Sequence, residues 1–452
     1  MISAEAYATL RDTAEGRAPL DAAAATLVAL TAGGFLVEDG EDEREAVAET
    51  HRAARENCET LHLVLVPTLS CNLACPYCFE PGVTPVAGRT AMTEFVRDDL
   101  CSLVRAAVAE GTRTLRVTWY GGEPLVGWQN LVDTSERLIA TCEAAGCGYS
   151  AEIVTNGTLL TADRARKLAA LKVTQAQISL DGPPDIHDLR RIGRNRKPTF
   201  AAVVEAIAAA APCLRVAVRI NVCRRVAPRV EEVLAILAAR GLNRSVSVHL
   251  APLRPAPGAA GSAPPAAAAG TAIDWLDDRE VAALRVAFDD LLRRHGFPVH
   301  PTGLPQPRGT ACIADQDASF VIEPDGTVQK CDWTVGIAGA AVGRLGPGGI
   351  EFDEDIARWR DLDVPDDPEC AACRFLPLCR GVCPLRRLAG EKPCLPFRHV
   401  WARVLARSAG FSPDEAEAVE PALDGPGLRG VGLADIAALA DRAEREPPCD
   451  LQ

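Results

Sequence analysis

Between Leu61 and Leu253 the chain alternates apolar, β-branched runs with helical stretches, and this alternation limits the possible folds more than any other feature. The predicted strands are Leu61–Pro67, Leu115–Tyr120, Tyr149–Thr155, Thr174–Leu180, Arg215–Val222 and Ser245–Leu253. Helices are predicted between them, among others at Ala162–Leu171, Ala201–Ala211 and Arg229–Arg240. Strands that alternate with helices form parallel βα units. We therefore expect an α/β fold whose ligands lie at the C-terminal ends of the strands.

The chain contains 17 cysteines, and ten of them fall into recognisable spacings. The N-terminus lacks a basic region followed by an apolar stretch, so no export signal is predicted. An odd number of cysteines without an export signal favours metal binding over disulfides. The remaining seven are interpreted as buried small apolar residues: Cys58, Cys101, Cys142, Cys147, Cys213, Cys223 and Cys449.

Three of the clustered cysteines, Cys71, Cys75 and Cys78, follow the first predicted strand on one short loop. Three thiolates at this spacing can hold three irons of a 4Fe–4S cube and leave the fourth iron without a protein ligand. An iron with free coordination sites is suited to chemistry rather than to electron storage alone. The loop also lies where a parallel sheet places its ligands.

The spacing of this loop, with Tyr77 just before its last cysteine, resembles that of radical S-adenosylmethionine (SAM) enzymes. The resemblance implies a partial (β/α)6 barrel over residues 61–300, in which the amine and carboxylate of SAM chelate the open iron. It also implies a set of SAM contacts: Tyr77, Gly121, Gly122, Glu123, Ser179 and Asn221. Asn156 and Asp181 are interpreted as residues that order their turns. His187, Asp188, Arg190 and Arg191 resemble a further family segment, without indicating which arginine faces SAM.

A second set of seven cysteines lies within residues 301–400 and resembles the SPASM extension of some radical SAM proteins. The family pattern assigns Cys312, Cys331 and Cys383 to a first auxiliary 4Fe–4S cluster. It assigns Cys370, Cys373, Cys379 and Cys394 to a second. The alternative is two zinc sites, because a two-residue cysteine spacing is also found in zinc knuckles. These would require an eighth ligand, which His399 could supply.

Some SPASM enzymes supply a fourth ligand to the first auxiliary cluster from a cysteine a few residues upstream of the motif. Here Cys223 is the last cysteine before Cys312, so no such ligand is present close by in the sequence. We therefore hypothesise that this cluster has three cysteine ligands and one open iron. Asp332 directly follows Cys331. In sulfatase-maturating relatives an aspartate here acts as the base that deprotonates the substrate, so Asp332 is a candidate catalytic residue; capping a turn is the alternative role.

The remaining segments are less informative. Residues 1–60 are predicted to form a short helical, winged-helix-like extension that either grips the leader of a precursor peptide or caps the barrel. Residues 255–270 are predicted to be a Pro/Ala/Gly-rich loop, and residues 401–452 a helical tail. The net charge of −13 argues against nucleic acid or an anionic membrane as partner. No run of 18 apolar residues occurs, and a cytoplasmic location is expected.

The resemblance implies an enzyme in which a reduced cluster cleaves SAM to methionine and a 5′-deoxyadenosyl radical, which abstracts hydrogen from the substrate. Three 4Fe–4S clusters, SAM and an electron donor such as flavodoxin or ferredoxin are expected. The favoured substrate is a ribosomally made precursor peptide that receives an intramolecular crosslink, in particular a thioether. The alternative is a sulfatase-type maturase that oxidises Cys or Ser to formylglycine. A non-catalytic iron–sulfur carrier or peptide-binding scaffold is the alternative from another class.

Overall fold

The computed structural model describes residues 42–78, 80, 91–255, 273–299, 309–337, 339–364 and 367–408. The chain divides into two compact units. The first comprises Met1–Ala46, Pro301–Leu304 and Val400–Gln452, and the second Val47–His300 and Pro305–His399. Every predicted site residue belongs to the second unit. Most of the predicted N-terminal extension, the loop predicted at 255–270 (except residue 255) and most of the C-terminal tail lie outside the described residues.

In the described part of the chain, ten strands form one sheet in the order β10-β9-β8-β7-β1-β2-β3-β4-β5-β6. The strands are β1 Thr60–Leu65, β2 Thr114–Trp119, β3 Gly148–Thr155, β4 Val173–Leu180, β5 Arg215–Val222, β6 Val246–Pro252, β7 Ser319–Ile322, β8 Thr327–Gln329, β9 Gly343–Gly346 and β10 Gly349–Phe352. The first six are parallel neighbours in chain order. The predicted α/β architecture is therefore confirmed.

Strands β7 to β10 extend this sheet beyond β1. β7 pairs with β1 in parallel, with Leu63 opposite Phe320 and Leu65 opposite Ile322. β8, β9 and β10 then follow as antiparallel neighbours. The strands of the cysteine-rich region are thus joined by backbone hydrogen bonds to β1, the strand that leads into the Cys71 loop. The sequence alone did not predict this pairing.

Thirteen α-helices occur among the described residues. They are α1 Glu43–Glu56, α2 Glu94–Ala109, α3 Trp128–Ala145, α4 Ala162–Ala170, α5 Pro184–Arg190, α6 Phe200–Ala210, α7 Val230–Ala239, α8 Asp278–Arg294, α9 Asp355–Arg360, α10 Pro368–Ala371, α11 Leu376–Cys379, α12 Pro384–Leu388 and α13 Trp401–Ser408. Sequence signals set several boundaries. Thr93 caps α2 by accepting from the N–H of Val96, and Asp277 with Glu280 forms a capping box on α8. None of the described helices is long and apolar enough for a bilayer crossing.

The two faces of β1 have different neighbours because successive side chains of a strand point to opposite faces. Leu63 and Leu65 belong to the large core beneath the helices and are completely buried. Val64 and Val66 belong to a smaller apolar cluster that also contains Val321. Burial of a leucine or valine of this kind contributes roughly 1.5–3 kcal/mol. This packing fixes the end of β1, where the cysteine loop begins.

Candidate metal and cofactor site

The loop that carries Cys71, Cys75 and Cys78 is held by backbone contacts on the segment after α5. Leu73 forms an isolated bridge with Gly193, and the N–H of Ala74 donates to the carbonyl of Ile192 at 2.9 Å. The guanidinium of Arg194 donates to the carbonyl of Cys71 at 2.7 Å. A loop of this length has few backbone partners of its own, so these bonds define the positions of its thiols.

The three thiols of this loop lie close enough for their charges to interact. Burial raises the pKa of Cys75 to about 12 and that of Cys78 to about 11, with smaller contributions from the neighbouring cysteines. Burial also raises the pKa of Cys71, although the N–H of Leu73 partly offsets this. Desolvation disfavours a thiolate, and a bound metal reverses this preference. The loop therefore brings three thiols near one another, with Cys71 and Cys75 partly buried and Cys78 exposed; their role as cluster ligands stays a prediction.

Gly121 and Gly122 follow β2 and lie against the start of the same loop. A Cβ on Gly121, whose φ is +113°, would lie 2.5 Å from Val66 Cγ1. A Cβ on Gly122 would lie 2.5 Å from the carbonyl oxygen of Leu69 and 2.6 Å from that of Ser70. Only residues without a side chain fit here.

Glu123 is 1% exposed, and most of its acceptor capacity is used by the protein. One carboxylate oxygen accepts from the Thr155 hydroxyl at 2.7 Å and from the N–H of Leu125 at 3.0 Å. The other accepts from the N–H of Asn156 at 2.7 Å. Burial raises the pKa of this carboxyl, and these hydrogen bonds oppose the increase. A carboxylate offers about four acceptor sites, so one is left for a ligand.

Asn156 does more than order its turn. Its side-chain oxygen accepts from the N–H of Thr158 at 3.0 Å, as an Asx turn requires. Its amide nitrogen, however, donates to the side chain of Asn72 in the cysteine loop at 2.9 Å. The interpretation of Asn156 as a residue that only orders a turn is therefore wrong, because Asn156 also connects the end of β3 to the cysteine loop.

A buried polar network at the ends of β4 and β5 contacts Tyr77. Asp181, which is 0% exposed, accepts from the amide of Asn221 at 3.0 Å and lies 3.5 Å from the guanidinium of Arg191. Arg191 in turn donates to the Tyr77 hydroxyl at 3.1 Å. The interpretation of Asp181 as a turn residue is wrong, since its carboxylate neutralises a buried cation. The structure also distinguishes the two arginines, because Arg190 donates instead to the thiol of Cys223.

Ser179 lies two residues before this network. It is buried near the C-terminal end of β4 and is paired in register with Arg219 of β5. The predicted SAM contacts Tyr77, Gly121, Gly122, Glu123, Ser179 and Asn221 thus lie at or just beyond the same ends of neighbouring strands. Their role in binding SAM stays a prediction.

The four cysteines of the second auxiliary set, Cys370, Cys373, Cys379 and Cys394, line one cavity of about 390 Å³. The charged residues Asp367, Glu369 and Lys392 line the same cavity. The choice between an iron–sulfur cluster and zinc at these thiols stays a prediction.

The neighbouring Cys383 belongs to a different group of thiols. Arg380, Gly381 and Val382, which separate it from Cys379, have φ values of 45°, 88° and 58°. A positive φ at a β-branched residue such as Val382 is unusual and strained. These residues turn the backbone between two cysteines, and the charges of Cys383 and Cys312 interact.

Cys312, Cys331 and Cys383, the first auxiliary set, have the carboxylates of Asp332 and Asp315 and the ammonium of Lys330 nearby. Burial raises the pKa of Cys312 to about 11, and Asp332, Asp315 and Cys383 contribute to the increase. The thiol of Cys331 lies 3.6 Å from the carboxylate of Asp332. Whether this set holds a cluster, and with how many ligands, stays a prediction.

Asp332 is directed toward the barrel strands. Burial raises its pKa, whereas the Cys331 thiol and the charge of Arg219 lower it. Its charge acts in turn on Tyr120, at the end of β2, and on Glu80, two residues after Cys78. The carboxyl group of Asp332 is thus within electrostatic range of both the cysteine loop and the open ends of β2 and β5.

Sequence reasoning did not identify Glu80 as a site residue. Burial raises its pKa to about 8, and Asp332, Glu323 and Glu123 add to this increase. Nothing in its local sequence marks Glu80, since the carboxylates that surround it come from other strands and loops. Arg191 could be expected only as one of two adjacent arginines.

Comparison with known protein families agrees with the radical SAM resemblance that the cysteine spacing indicates for this part of the chain. The model of the radical SAM superfamily matches residues 65–224, which include the Cys71 loop, Glu123 and Asn221. These residues form a radical SAM domain. The radical SAM domain implies a 4Fe–4S cluster and SAM, and the prediction that the chain is an enzyme is confirmed at the level of the superfamily.

Curated relatives match the radical SAM domain and, in one group, more of the chain. The GTP 3′,8-cyclase of Synechococcus sp. (strain WH7803) is 37% identical over 125 residues, which are 25% of this chain and 31% of that protein. The serine-type anaerobic sulfatase-maturating enzyme of Klebsiella aerogenes is 29% identical over 150 residues, 32% of this chain and 36% of that one. The chain thus spans about a third of these relatives. Mycofactocin maturase MftC of Mycolicibacterium smegmatis is 28% identical over 335 residues, covering 70% of this chain and 76% of that protein.

Among solved structures, native anSMEcpe with bound AdoMet has a TM-score of 0.58 and 19% identity, and the match covers 78% of this chain and 100% of that chain. At this identity the similarity concerns the fold alone. The similarity extends beyond residues 65–224, which the radical SAM model matches.

Proposed function

We propose that this chain is a radical SAM maturase that oxidises a residue of a ribosomally made peptide or protein. One observation carries the proposal: β7 joins β1, which leads into the Cys71 loop, to β8, which leads into Cys331 and Asp332. A substrate bound at the Cys71 loop and reaching Asp332 would have a site of hydrogen abstraction on one side and a base on the other. Proximity of this kind makes a two-step oxidation efficient.

Cys71, Cys75 and Cys78 would hold the 4Fe–4S cluster of the radical SAM domain. When bound, this cluster supplies the electron that cleaves SAM to methionine and a 5′-deoxyadenosyl radical. The protein's task is to position SAM and the substrate and to exclude water.

The predicted SAM contacts would divide this task. Gly121 and Gly122 allow the backbone to approach the loop closely, so their polar groups and the remaining acceptor site of Glu123 would meet the SAM amino group. One carboxylate oxygen of Asp181 is buried without a hydrogen-bond partner among the described residues. SAM hydroxyl or amine groups would satisfy such an acceptor, whose desolvation is costly when unpaired. Tyr77, Ser179 and Asn221 would complete the pocket.

We further propose three clusters in total. Cys370, Cys373, Cys379 and Cys394 would hold one auxiliary cluster, for which the cavity they line is suitable. Cys312, Cys331 and Cys383 would hold the other with one iron open to a substrate thiol. These clusters would take up the electron that the substrate loses when its oxidation is completed. Flavodoxin or ferredoxin would supply the electron for SAM cleavage, and the reaction would occur in the cytoplasm.

The first candidate product is an intramolecular thioether crosslink in a precursor peptide. The length of the match to mycofactocin maturase MftC supports a maturase, and a thioether is the product for which an open iron in the first auxiliary set would be suited. The second candidate is formylglycine, made from Cys or Ser of a sulfatase. It is supported by Asp332, because a desolvated carboxylate with a raised pKa can accept the proton that such an oxidation releases.

The test uses the full-length chain, reconstituted anaerobically with iron and sulfide and supplied with SAM and dithionite. We expect release of 5′-deoxyadenosine, and loss of that release in Cys75→Ala. Candidate peptides are then analysed by mass spectrometry. A thioether removes a free thiol and joins two residues, whereas formylglycine introduces an aldehyde that reacts with a hydrazide. Absence of SAM cleavage by the wild-type chain, with and without peptides, contradicts the proposal.

A further inference from the structure

Arg398 provides the cavity of the second auxiliary set with a positively charged hydrogen-bond donor. Its guanidinium donates to the thiol of Cys394 at 3.1 Å, and its charge also acts on Cys373 and Cys379. The short helical turn Pro396–His399 that carries it follows Cys394 closely. Phe397, the neighbouring residue in this turn, packs edge-on against Phe375 with ring centres 6.1 Å apart. The turn that carries Arg398 is therefore packed against the segment of Phe375, and the exposed guanidinium of Arg398 is held by its bond to Cys394.

A charged donor on a ligating sulfur changes the properties of a cluster in a known direction. The reduced cluster carries one more negative charge than the oxidised cluster. A guanidinium that donates to a cluster thiolate therefore stabilises the reduced form more strongly, and hydrogen bonds to the sulfurs are among the factors that set cluster potentials. Hydrogen bonds with an ionised donor are also about twice as strong as neutral ones.

We propose that Arg398 raises the reduction potential of the cluster held by Cys370, Cys373, Cys379 and Cys394. The inference rests on the proposed function, since it requires a cluster at these cysteines. Arg398 acts here as a tuning residue rather than as a catalytic one, because it contacts a ligand of the cluster and not the substrate.

Two carboxylates lie near the first auxiliary set, together with the ammonium of Lys330. Asp332 and Asp315 act on Cys312 and raise its pKa, and Asp315 accepts from the N–H of Cys312 at 3.1 Å. Carboxylates disfavour the more negative, reduced form of a cluster. A raised potential makes the cluster held by Cys370, Cys373, Cys379 and Cys394 a better electron acceptor. The one electron lost by the substrate radical would then reduce the second cluster by one electron, which balances the oxidation.

The test is an anaerobic redox titration of the reconstituted full-length chain, followed by electron paramagnetic resonance. The signal of this cluster is identified as the one that disappears in a Cys370→Ala/Cys373→Ala variant. In Arg398→Gln we expect its reduction equilibrium constant to fall by roughly tenfold, which is about 59 mV for a one-electron couple. Arg398→Lys keeps the charge but not the planar fork and should show a smaller decrease. Arg105→Gln, at an exposed arginine of α2, is the matched control and should leave the potential unchanged.

The outcomes separate the inference from the proposed function. If the cluster is present and its potential is the same in wild type, Arg398→Gln and Arg398→Lys, the tuning role is overturned while the proposed function stands. If Arg398→Gln does not assemble this cluster, the potential of Arg398→Lys is compared with that of wild type instead. A lower potential supports the tuning role, and an unchanged potential overturns it. If the cysteine variant binds as much iron as wild type, no cluster lies at these cysteines. The three-cluster part of the proposed function and the tuning role then both fail, whereas SAM cleavage is tested separately.

Discussion

Arg191 donates to the hydroxyl of Tyr77 at 3.1 Å, and its charge is balanced by Asp181 at 3.5 Å. This arrangement joins the end of β4 to the cysteine loop of the radical SAM domain through three side chains. Asp181 and Tyr77 do not lie in one element, so the contact depends on the folded chain. It therefore couples the stability of the domain to the geometry of its cofactor site.

Replacement of Asp181 by asparagine should destabilise the chain strongly. Removal of one partner from a buried ion pair leaves the other charge uncompensated, at a cost of about 3–5 kcal/mol. We expect a decrease of this size in the free energy of unfolding, measured with urea under anaerobic conditions. The matched control is Asp185→Asn, because Asp185 forms an exposed ion pair with Arg229 and such pairs contribute about 0–1 kcal/mol. Equal effects of the two substitutions would falsify the assignment of Asp181.

Replacement of Gly122 by alanine should displace the cysteine loop. The new Cβ would lie 2.5 Å and 2.6 Å from two carbonyl oxygens of the loop backbone, so the loop has to move. We expect Gly122→Ala to lose most of the iron bound at Cys71, Cys75 and Cys78 and to cleave SAM at least tenfold more slowly. Iron content and 5′-deoxyadenosine release are measured together.

The control for this substitution is Gly348→Ala, since a Cβ at Gly348 would meet nothing within 4 Å. It should retain wild-type iron content and SAM cleavage. Normal iron content in Gly122→Ala would show that the loop adapts to the added methyl group and would contradict the argument from close approach.

Replacement of Asp332 by asparagine should separate SAM cleavage from product formation. The base role requires a carboxylate beside the substrate, whereas SAM cleavage depends on the Cys71 loop. General base catalysis typically contributes about 10²–10⁴-fold, so we expect product formation to fall by at least about 10²-fold while 5′-deoxyadenosine is still released. Asp355→Asn, in α9, serves as the control. If both rates in Asp332→Asn stay at the wild-type level, Asp332 is not the base.

The free energy of unfolding should decrease as the pH falls below neutrality because of two buried histidines. Burial lowers the pKa of His62 and of His187 to about 4 each, whereas in the unfolded chain a histidine titrates at about 6.5. Between these values the unfolded state binds more protons, so acid favours unfolding. From pH 7 to pH 5 we expect a loss of about 2 kcal/mol for each histidine.

Urea titrations at the two pH values measure this loss. His62 has a hydroxyl neighbour, Thr118, at 2.9 Å, so His62→Gln keeps a polar side chain at this position without the titration. The variant should lose less stability than wild type between pH 7 and pH 5. An identical pH dependence in both proteins would rule out a contribution from His62.

The barrel strands were predictable because apolar, β-branched runs and helical periodicity are local signals. The bounds of β5, Arg215–Val222, agree with the prediction to the residue. Cys71, Cys75 and Cys78 were predictable for the same reason, since a short loop encodes their spacing. Pairings between segments that are distant in the chain were not predictable from local signals. The sequence does not indicate that β7 would pair with β1, or that Asp181 would meet Arg191 and Asn221.

The residues around the predicted auxiliary sites illustrate the same limit. The spacing of the cysteines predicts which thiols form one ligand set, but it does not predict which charged side chains lie near them. Glu80 is buried close to carboxylates from other elements. Arg398 contacts Cys394 from a short turn whose sequence does not indicate this contact. Electrostatic environment is a property of the folded chain, so it becomes visible only when these segments are brought together.

The continuous hydrogen bonding from β8 through β7 to β1 has a consequence for how this architecture can diversify. The loop with Cys71 follows β1, and Cys331 follows β8. β7 is parallel to β1 and β8 is antiparallel to β7, so the three strands form one backbone frame that substitutions of side chains leave intact. Surface loops can diverge in sequence while this pairing stays constant. The paired strands thus provide a constant backbone frame that selection for new substrate specificity need not change.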